Sequence, residues 1–459
     1  MKYEVQELKT TIIGAGKIGK EIATRLIQAG HDLVVIDNNE VTLQKIEEDF
    51  DCLSIKGSGS TGRILKSPEV VNSDLLIAVT NSDEVNMVAC MTAKQLGIPH
   101  TVARIRDPDY APNLVICKDR LGIDLVVNPE FASAVEINRY LTMDLPVHMQ
   151  PFAKGQIKLV DISINKDMSM FAEQKIEDLT IPKSVLIVAI SREGNMIIPN
   201  GQSRLMPGDT IYMLGHSETI DKICAKLKKP QPKVQKVMIL GGGRITYYLA
   251  EMICKQGMKV KIIEQDSVRC KELAEKLPDE AFVLCADGSD IDLLEDEGVK
   301  NIDAFVAATG IDEENLTLAL LAKKMGSTRV IAKISRPSYA PLVEQLGVDY
   351  AISPRLITAS EILRYLKGGR LLSISLLLNG KAEVLEMIVQ AGSKIIGRPL
   401  HKAGLPPGVI FGAITRNNKV IIPQGNDVIQ TNDRLVVFTL EDNVNKIESM
   451  CGVGGVQFE

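Results

Sequence analysis

Short runs of Val, Ile and Leu alternate with amphipathic stretches along two long segments of the chain. The alternation runs from about residue 10 to residue 127 and returns from about residue 237 to residue 352. Short apolar runs separated by helical periodicity are typical of βαβ units in a parallel sheet. The pattern therefore predicts two parallel-sheet domains. Strands are expected near 10–13, 33–36, 52–55, 75–79, 101–105 and 124–127, and again near 237–240, 259–263, 282–285, 303–307, 328–333 and 349–352.

A different pattern follows each of these segments. Residues 148–225 and 371–448 are richer in β-branched runs and turn residues, which predicts a small α+β module in both places. Residues 228–233, Lys-Lys-Pro-Gln-Pro-Lys, read as a polar linker broken by proline. The predicted fold class is α/β, with two Rossmann-like parallel-sheet domains that are each followed by a small α+β module. The expected bounds are 8–141, 148–227, 234–366 and 371–450.

One helix is predicted at each junction between a sheet domain and its module. Pro129 opens the first, which should run to about residue 141, and Pro354 opens the second, which should run to about residue 366. Proline suits the first position of a helix, where its missing N–H has no partner to lose. These helices are either levers between the two kinds of domain or elements packed in the ordinary way within one subunit.

Composition narrows the class of protein. Of the 459 residues, 45% are hydrophobic and 24% are charged, as in soluble globular proteins. A net charge of -5 predicts no basic surface for nucleic acid. No apolar run approaches the roughly 20 residues of a membrane helix, and the first residues lack the apolar core of a signal peptide. The eight cysteines form no CxxC pair, which favours free thiols in a cytoplasmic protein.

The first glycine loop carries the strongest chemical signal. Gly14, Gly16 and Gly19 follow a predicted strand and open a predicted helix, and Asp37 closes the next apolar run. In dinucleotide-binding folds the three glycines allow the tight turn, the approach of the diphosphate and close helix packing. An acidic residue about 20 positions on hydrogen-bonds the adenosine ribose and disfavours a 2′-phosphate. Asp37 cannot separate NAD from ATP or ADP, because all three offer the same ribose.

The second half repeats this arrangement with one change. Gly241 and Gly243 follow the first strand, and Glu264 takes the place of the ribose carboxylate. Thr246 stands where the first half has its third glycine. A β-branched side chain there is expected to obstruct close packing of helix on strand. The second site therefore either binds nucleotide in an altered pocket or is a degenerate copy kept for structure.

Several other positions recur in both halves and are candidates for the same sites. Lys17 and Arg244 follow the second loop glycine and either reach the phosphates or are solvated charges; Ile18 and Ile245 come next in each loop. Thr80 and Thr309 end the fourth strand, at the sheet edge where such folds bind ligands.

Charged residues near the ends of the fourth and fifth strands leave two interpretations open. Asp83 and Asp312 either line the adenosine pocket or cap the helix that follows. Arg104 and Lys333 end the fifth strand and either balance phosphate charge or form surface ion pairs.

Taken together, the motifs and their order resemble tandem RCK domains. The resemblance covers residues 8 to about 448 and includes a Gly-Asp-Gly-Ser/Thr turn, which appears as Ser58-Gly59-Ser60 in the first half and as Asp287-Gly288-Ser289 in the second. The small modules share an arginine, a Pro-x-Gly turn and a late aspartate with that family. The matching residues are Arg192, Pro199, Gly201 and Asp209, then Arg416, Pro423, Gly425 and Asp433.

The resemblance also implies a function. Two RCK domains in one chain of this length are similar to the peripheral regulatory subunits of Trk potassium uptake. Membership would imply binding of NAD(H) and adenine nucleotides, ATP or ADP, by the sheet domains. It would also imply a homo-oligomeric ring, either a dimer or a tetramer, beneath an integral-membrane potassium-transporting subunit at the inner face of the cell membrane. The potassium ion is implied by the resemblance alone.

The alternative is an NAD-dependent oxidoreductase with a duplicated dinucleotide-binding domain. Such an enzyme needs a general acid or base facing the nicotinamide. None of the five histidines has a counterpart at the equivalent position of the other half. Tyr110 and Tyr339 are each followed by Ala-Pro, and neither begins a Tyr-x-x-x-Lys motif. The small modules are short for substrate domains. These absences favour a regulatory protein over an enzyme.

Overall fold

The computed structural model describes residues 8–110, 120–142, 149–165, 168, 170–193, 195–227, 233–336, 339, 343, 346–366, 371–377 and 382–453. The linker expected at 228–233 lies almost wholly outside these residues. In the described part of the chain, helices reach 14 residues at most, and none is long and apolar enough to cross a bilayer.

The first sheet domain is a parallel six-stranded sheet in the order β3-β2-β1-β4-β5-β6. Its strands are β1 Lys9–Ile13, β2 Asp32–Asp37, β3 Leu53–Lys56, β4 Leu75–Ala78, β5 His100–Arg104 and β6 Leu125–Val127, and its helices are α1 Lys17–Gln28, α2 Glu40–Asp49, α3 Gly62–Leu65, α4 Pro68–Val71, α5 Asp83–Gln95 and α6 Pro129–Thr142. The strand order reverses between β1 and β4. In open α/β sheets, ligands bind at the carboxyl ends of the strands beside such a reversal.

The first small module is an antiparallel five-stranded sheet with one helix, in the order β10-β9-β11-β8-β7. Its elements are β7 Met149–Phe152, β8 Ile157–Ser163, β9 Val185–Arg192, β10 Asn195–Ile197, β11 Thr210–His216 and α7 Ser217–Leu227.

The second half repeats both units. The second sheet domain has the order β14-β13-β12-β15-β16-β17, and the second module has β18-β19-β22-β20-β21. The domain comprises β12 Lys236–Leu240, α8 Arg244–Cys254, β13 Lys259–Glu264, α9 Ser267–Lys276, β14 Ala281–Cys285, α10 Ile291–Asp296, β15 Ala304–Ala307, α11 Asp312–Met325, β16 Arg329–Lys333, β17 Tyr350–Ile352 and α12 Pro354–Leu366. The module comprises β18 Leu371–Leu377, β19 Ala382–Ile388, β20 Val409–Arg416, β21 Lys419–Ile421, β22 Arg434–Leu440 and α13 Val444–Cys451. The predicted fold class is confirmed, and every predicted strand lies within two residues of an observed one.

The junction helices α6 and α12 pack on opposite halves of the chain. Ile137 and Leu141 of α6 are buried in one hydrophobic cluster with Leu249 of α8 and Ile239 of β12. In return, Ile362 and Leu366 of α12 are buried with Leu26 of α1. Each junction helix therefore completes the core of the sheet domain in the other half, and the two sheet domains form one interlocked body.

A buried arginine fixes the end of α6. Arg329, only 1% exposed at the start of β16, donates from Nη1 to the carbonyl oxygens of Tyr140 (3.0 Å) and Leu141 (2.9 Å) in the last turn of α6. A cation at this end also complements the helix dipole. Beside it, the Tyr140 and Tyr350 rings stack with centroids 4.9 Å apart.

The two small modules also pack against each other. Leu159, Val188 and Leu214 of the first share a buried cluster with Val384 and Val436 of the second. The duplicated units thus meet at both levels, sheet domain on sheet domain and module on module.

Helix α1 joins the first sheet domain to the second module. Arg25, in the middle of α1, is nearly buried and pairs with Glu383 (3.5 Å) and Glu441 (3.0 Å) of that module. Nearby, Asn445 donates to the carbonyl oxygen of Gln28 near the end of α1. The helix that begins at the first glycine loop is therefore anchored to a module that belongs to the other half.

Candidate functional site

The first glycine loop forms the turn between β1 and α1. Gly14 has φ of +102°, and a Cβ built on it would lie 2.9 Å from the Thr80 nitrogen at the end of β4. A Cβ on Gly19 would collide with the carbonyl oxygen of Gly14. Both glycines are therefore required by the turn itself, as the motif predicts.

The start of α1 offers unpaired donors. Its first helical bond runs from Lys20 N–H to the carbonyl oxygen of Gly16 (2.9 Å), and no described side chain caps it. The N–H groups of Lys17, Ile18 and Gly19 are thus left without helical partners. A Cβ on Gly16 would meet nothing within 4 Å, so the space in front of these donors is open. Such a helix start fits an anionic phosphate.

Asp37 lies beside this loop at the end of β2. Its Oδ2 accepts the N–H of Ala15 (2.7 Å), and its Oδ1 accepts the N–H of Asn39 (2.8 Å). Each carboxylate oxygen has a further lone pair that can accept a hydroxyl. We call residues 14–19 with Asp37 the first cradle.

The equivalent second cradle, residues 241–246 with Glu264, keeps this arrangement. Gly241 has φ of +93°. Glu264 accepts the N–H of Gly242 through Oε2 (2.5 Å) and that of Asp266 through Oε1 (2.8 Å). The first bond of α8 runs from Tyr247 N–H to Gly243 oxygen (3.1 Å), which leaves the N–H groups of residues 244–246 free of helical partners.

Thr246 does not obstruct the second loop as expected. Its side chain is fully buried, and its hydroxyl donates to the carbonyl oxygen of Gly241. That carbonyl is the counterpart of the oxygen that a Cβ on Gly19 would strike. The hydroxyl replaces a close approach with a hydrogen bond, so the expected obstruction of close packing by Thr246 is not seen at this turn.

The side chains of the loop residues divide into two kinds. Ile18 packs at the edge of one hydrophobic cluster and Ile245 is buried in another, so only their main-chain N–H groups face the cradles. Lys17 is exposed and Arg244 half-buried at the helix starts. Both positions suit contact with a phosphate.

The turns that follow β3 and β14 pack closely on β1 and β12, respectively. A Cβ on Gly59 would overlap Ile13, and one on Gly288 would overlap Leu240. The Asp287 carboxylate accepts the N–H of Ser289 (2.9 Å), which lowers the pKa of Asp287. Asp287 thus shapes its own turn, where the first half has Ser58.

Thr80 and Thr309 are held by a pair of asparagines that the motif analysis missed. Asn86 accepts the Thr80 N–H (2.9 Å) and donates to the Arg104 carbonyl (2.8 Å). Asn315 likewise accepts the Thr309 N–H (2.8 Å) and donates to the Lys333 carbonyl (2.9 Å). Both asparagines are fully buried and join the ends of two adjacent strands. Their recurrence three residues after Asp83 and Asp312 was a signal available in the sequence.

Asp83 and Asp312 have a role that neither interpretation anticipated. Ser82, and not Asp83, caps α5, and α11 has no side-chain cap among the described residues. The buried Asp83 carboxylate accepts the N–H groups of Arg106 (2.7 Å) and Asp107 (2.8 Å). Asp312 accepts those of Ser335 (2.9 Å) and Arg336 (2.8 Å). The cap interpretation is therefore wrong for both; each carboxylate fixes the chain that leaves the fifth strand.

Arg104 is not in a surface ion pair. It is 8% exposed, and its Nη2 pairs with Glu130 of α6 at 2.6 Å. Burial lowers the pKa of Arg104, and the Glu130 charge opposes that shift. Within the described chain, Arg104 Nε and Glu130 Oε2 have no hydrogen-bond partner although both atoms are buried. Unsatisfied polar atoms of this kind are expected at a site that receives a polar ligand.

The equivalent position in the second half is more positive. Lys333 replaces Arg104, and Arg355 of α12 replaces Glu130; Arg355 pairs instead with Glu21 of α1 at 2.9 Å. Burial lowers the pKa of Lys333, and the Lys17 charge from the first cradle lowers it further. The end of β16 in one half therefore lies within electrostatic reach of the glycine loop in the other half.

The arginines that recur in both small modules have a structural role. Arg192 donates two hydrogen bonds to the carboxylate of the buried Asp209 (2.7 and 2.8 Å). Arg416 donates two to Asp433 in the same way (2.8 and 2.7 Å). Each aspartate raises the pKa of its arginine. These pairs close a turn within each module.

Fold and site together define a tandem RCK protein, with two sheet domains and two modules in one chain. The TrkA-N domain model matches residues 10–129 and 237–354, and the TrkA-C domain model matches residues 159–228 and 384–452. The chain belongs to the TrkA family of Trk system potassium uptake proteins.

Relatives of known name support this membership over the full length. A TrkA homologue of Methanosarcina mazei, named Trk system potassium uptake protein TrkA homolog 2, is 34% identical over 96% of this chain and 100% of its own. TrkA of Haemophilus influenzae is 32% identical over 96% of this chain and 98% of its own. Both are named for potassium uptake and not for an enzymatic reaction, so the chain is grouped with transport proteins and not with oxidoreductases.

Solved structures share the fold. The GsuK RCK domain has a TM-score of 0.59 at 17% identity and covers 98% of both chains. A GsuK channel bound to NAD has a TM-score of 0.58 at 16% identity, over 98% of this chain and 81% of its own. At these identities the likeness concerns architecture alone.

Proposed function

We propose that this protein is the nucleotide-sensing regulatory subunit that gates a Trk-type potassium-transporting membrane subunit. NAD(H) and ATP or ADP are its ligands, and both cradles receive them. The observation that carries the proposal is the repeated pairing of an uncapped helix start with a carboxylate at the end of the adjacent strand. Three free N–H groups hold the phosphates, and the carboxylate holds the ribose hydroxyls.

The choice of ligand follows from the donors and acceptors. Asp37 and Glu264 repel a 2′-phosphate, which favours NAD over NADP. Neither carboxylate distinguishes NAD from ATP or ADP. The fold relatives described as GsuK bound to NAD and as GsuK bound to ADP are consistent with both kinds of ligand. Residues around the strand ends, Gly59, Thr80, Asp83 and Arg104 with Asp287, Thr309 and Lys333, complete the proposed sites.

Charges of the two halves lie near each other at the first cradle. Lys17 of the first half and Lys333 of the second are within electrostatic reach of each other, so a phosphate bound there would attract cations of both halves. A ligand shifts a conformational equilibrium only by its preference for one state, typically about 1–3 kcal/mol per site. Moving a gate from 1:99 to 99:1 requires about 5.5 kcal/mol. Several cradles in a homo-oligomeric ring, either a dimer or a tetramer, can supply that total.

Removal of the first ribose carboxylate tests the assigned site. Asp37→Ala should weaken NADH and ATP binding about 10- to 100-fold at the first cradle, because a hydrogen bond to a charged group contributes about 1.5–3 kcal/mol. Calorimetry on the full chain should then show one affected and one unaffected binding event. Asp178→Ala, at an exposed position of the first module, is the matched control. Equal affinities for wild type and Asp37→Ala would contradict the pocket.

The link from α1 to the second module tests the coupling. Arg25→Met removes the ion pairs to Glu383 and Glu441, together with the pair to Glu21 in the same helix, at a position outside the first cradle. We expect nucleotide affinity to change less than about threefold, while the nucleotide no longer alters potassium flux through the membrane subunit reconstituted in vesicles. Lys20→Met, on the exposed side of the same helix, should leave the flux response intact. A normal response in Arg25→Met would show that the signal does not pass through this contact.

The location follows from the proposed partner. The protein would lie in the cytoplasm, attached to the inner face of the cell membrane through the transporter. Co-purification of the full chain with the membrane subunit, and light scattering to find the size of the ring, test this placement.

A further inference from the structure

Two cysteines meet beside the second cradle. Cys270 lies in the first turns of α9, and Cys285 ends β14, where it pairs in register with Glu264. The Cys270 thiol donates to the carbonyl oxygen of Glu264 (3.2 Å), and the Cys285 thiol donates to that of Gln265 (3.9 Å). Two thiols that donate to consecutive carbonyls converge on one short segment, which also carries the ribose carboxylate.

The two thiols also differ in their exposure to solvent. Burial raises the pKa of Cys270 to about 11, and the neighbouring Cys285 adds to that shift. Cys270 is 7% exposed, whereas Cys285 is open to solvent. One accessible thiol beside one sheltered thiol is the arrangement in which a mixed disulfide at the first is resolved by the second.

The first half lacks this pair. Leu43 of α2 stands at the position of Cys270, and Lys56, which pairs in register with Asp37, stands at the position of Cys285. The first half therefore has no thiol at either of these two positions.

We propose that Cys270 and Cys285 are a modification site, at which a small disulfide converts the two thiols to an intramolecular disulfide next to Glu264. With a small disulfide, the Cys285 thiolate attacks one sulfur; a mixed disulfide forms, and the first small thiol leaves with the Cys285 proton. The Cys270 thiolate then attacks Cys285 Sγ. The Cys270–Cys285 bond forms, the mixed disulfide breaks, and the second small thiol leaves with the Cys270 proton. Two cysteine thiols are oxidised and one small disulfide is reduced.

Oxidation would act on the second cradle alone. The disulfide removes both S–H donors from the Glu264 and Gln265 carbonyls and draws α9 toward β14. Both changes reach the strand end that positions the Glu264 carboxylate. This consequence rests on the proposed function, because it supposes that nucleotide binds the second cradle; the disulfide itself does not.

Peptide mapping of the oxidised full chain tests the proposal. The protein is treated with 2-hydroxyethyl disulfide, alkylated and digested without reduction. We expect a linked Cys270–Cys285 peptide that dithiothreitol cleaves, and a fall by two from the eight thiols titrated in denaturant. Cys270→Ser should trap the mixed disulfide on Cys285, and Cys285→Ser should give neither product. Cys254→Ser, which changes another buried cysteine of the same domain, should react as wild type.

Three results would overturn the site: a lasting mixed disulfide on wild-type Cys285, a Cys285-linked dimer, or no reaction at either thiol. Calorimetry of the mapped disulfide form separates the two proposals. A change in affinity of threefold or more, confined to the second cradle, supports the regulatory consequence, and an unchanged affinity removes it. Absence of nucleotide binding in both redox forms would instead contradict the proposed function and leave the disulfide standing.

Discussion

Gly16→Val should abolish nucleotide binding at the first cradle while the protein stays folded. The φ of Gly16 is -68°, which any residue adopts, and a Cβ there meets nothing within 4 Å. The valine methyl groups would fill the space in front of the free N–H groups of α1, where the diphosphate is expected. We expect affinity to fall about 100-fold or more, equivalent to about 2.8 kcal/mol of binding free energy. The helix start itself should lose at most about 1 kcal/mol.

Titration of the full chain with NADH, together with thermal unfolding, measures both effects. Gly243→Val is the matched variant, since a Cβ on Gly243 also meets nothing within 4 Å. It should remove the second binding event and leave the first. Gly19→Val should behave differently, because its side chain collides with Gly14 and the turn must move. Tight binding retained by Gly16→Val would mean that the ligand lies elsewhere.

Arg329→Met should lower the free energy of unfolding by more than a typical single substitution does. Arg329 is 1% exposed and donates to two carbonyls at the end of α6. Methionine keeps much of the volume but leaves those carbonyls without these donors in a buried place. Since hydrogen bonds to charged groups contribute about 1.5–3 kcal/mol each, we expect a cost of about 3–5 kcal/mol.

Because unfolding of several domains is not two-state, a local measurement is needed beside the denaturant midpoint. Amide hydrogen exchange in residues 129–142 should accelerate most in the variant, since these residues lose the contact. Arg336→Met makes the same change at an exposed ion pair with Glu313 and should cost less than about 1 kcal/mol. Equal stability of the two variants would show that α6 does not depend on Arg329.

Local sequence patterns predicted the features that depend on neighbouring residues. The apolar runs predicted the strands of both sheets, and the prolines at 129 and 354 predicted the starts of α6 and α12. The glycine loops predicted the turns because positive φ and close approach restrict residue choice at Gly14 and Gly19. These constraints act within a few residues of the chain or between adjacent strands.

Features that depend on contacts between residues far apart in the chain could not be predicted from local sequence patterns. The partner of Asp83 is a loop that follows the next strand, so local pattern could not separate a cap from that contact. Thr246 looked obstructive because its hydroxyl bond to Gly241 depends on the final geometry of the turn. The packing of α6 and α12 on opposite halves is a matter of tertiary arrangement, and periodicity shows only that each helix has an apolar face.

The mutual exchange of α6 and α12 has a consequence for how the two halves can differ. In a homodimer of half-length chains that exchanged such helices, every substitution would appear on both sides of the shared interface. Fusion of the two halves into one chain removes that restriction. The interface here differs in charge between the halves, because Glu130 of α6 has Arg355 as its equivalent in α12. A single polypeptide thus carries two unlike cradles in a fixed one-to-one ratio, at any expression level and under any dilution.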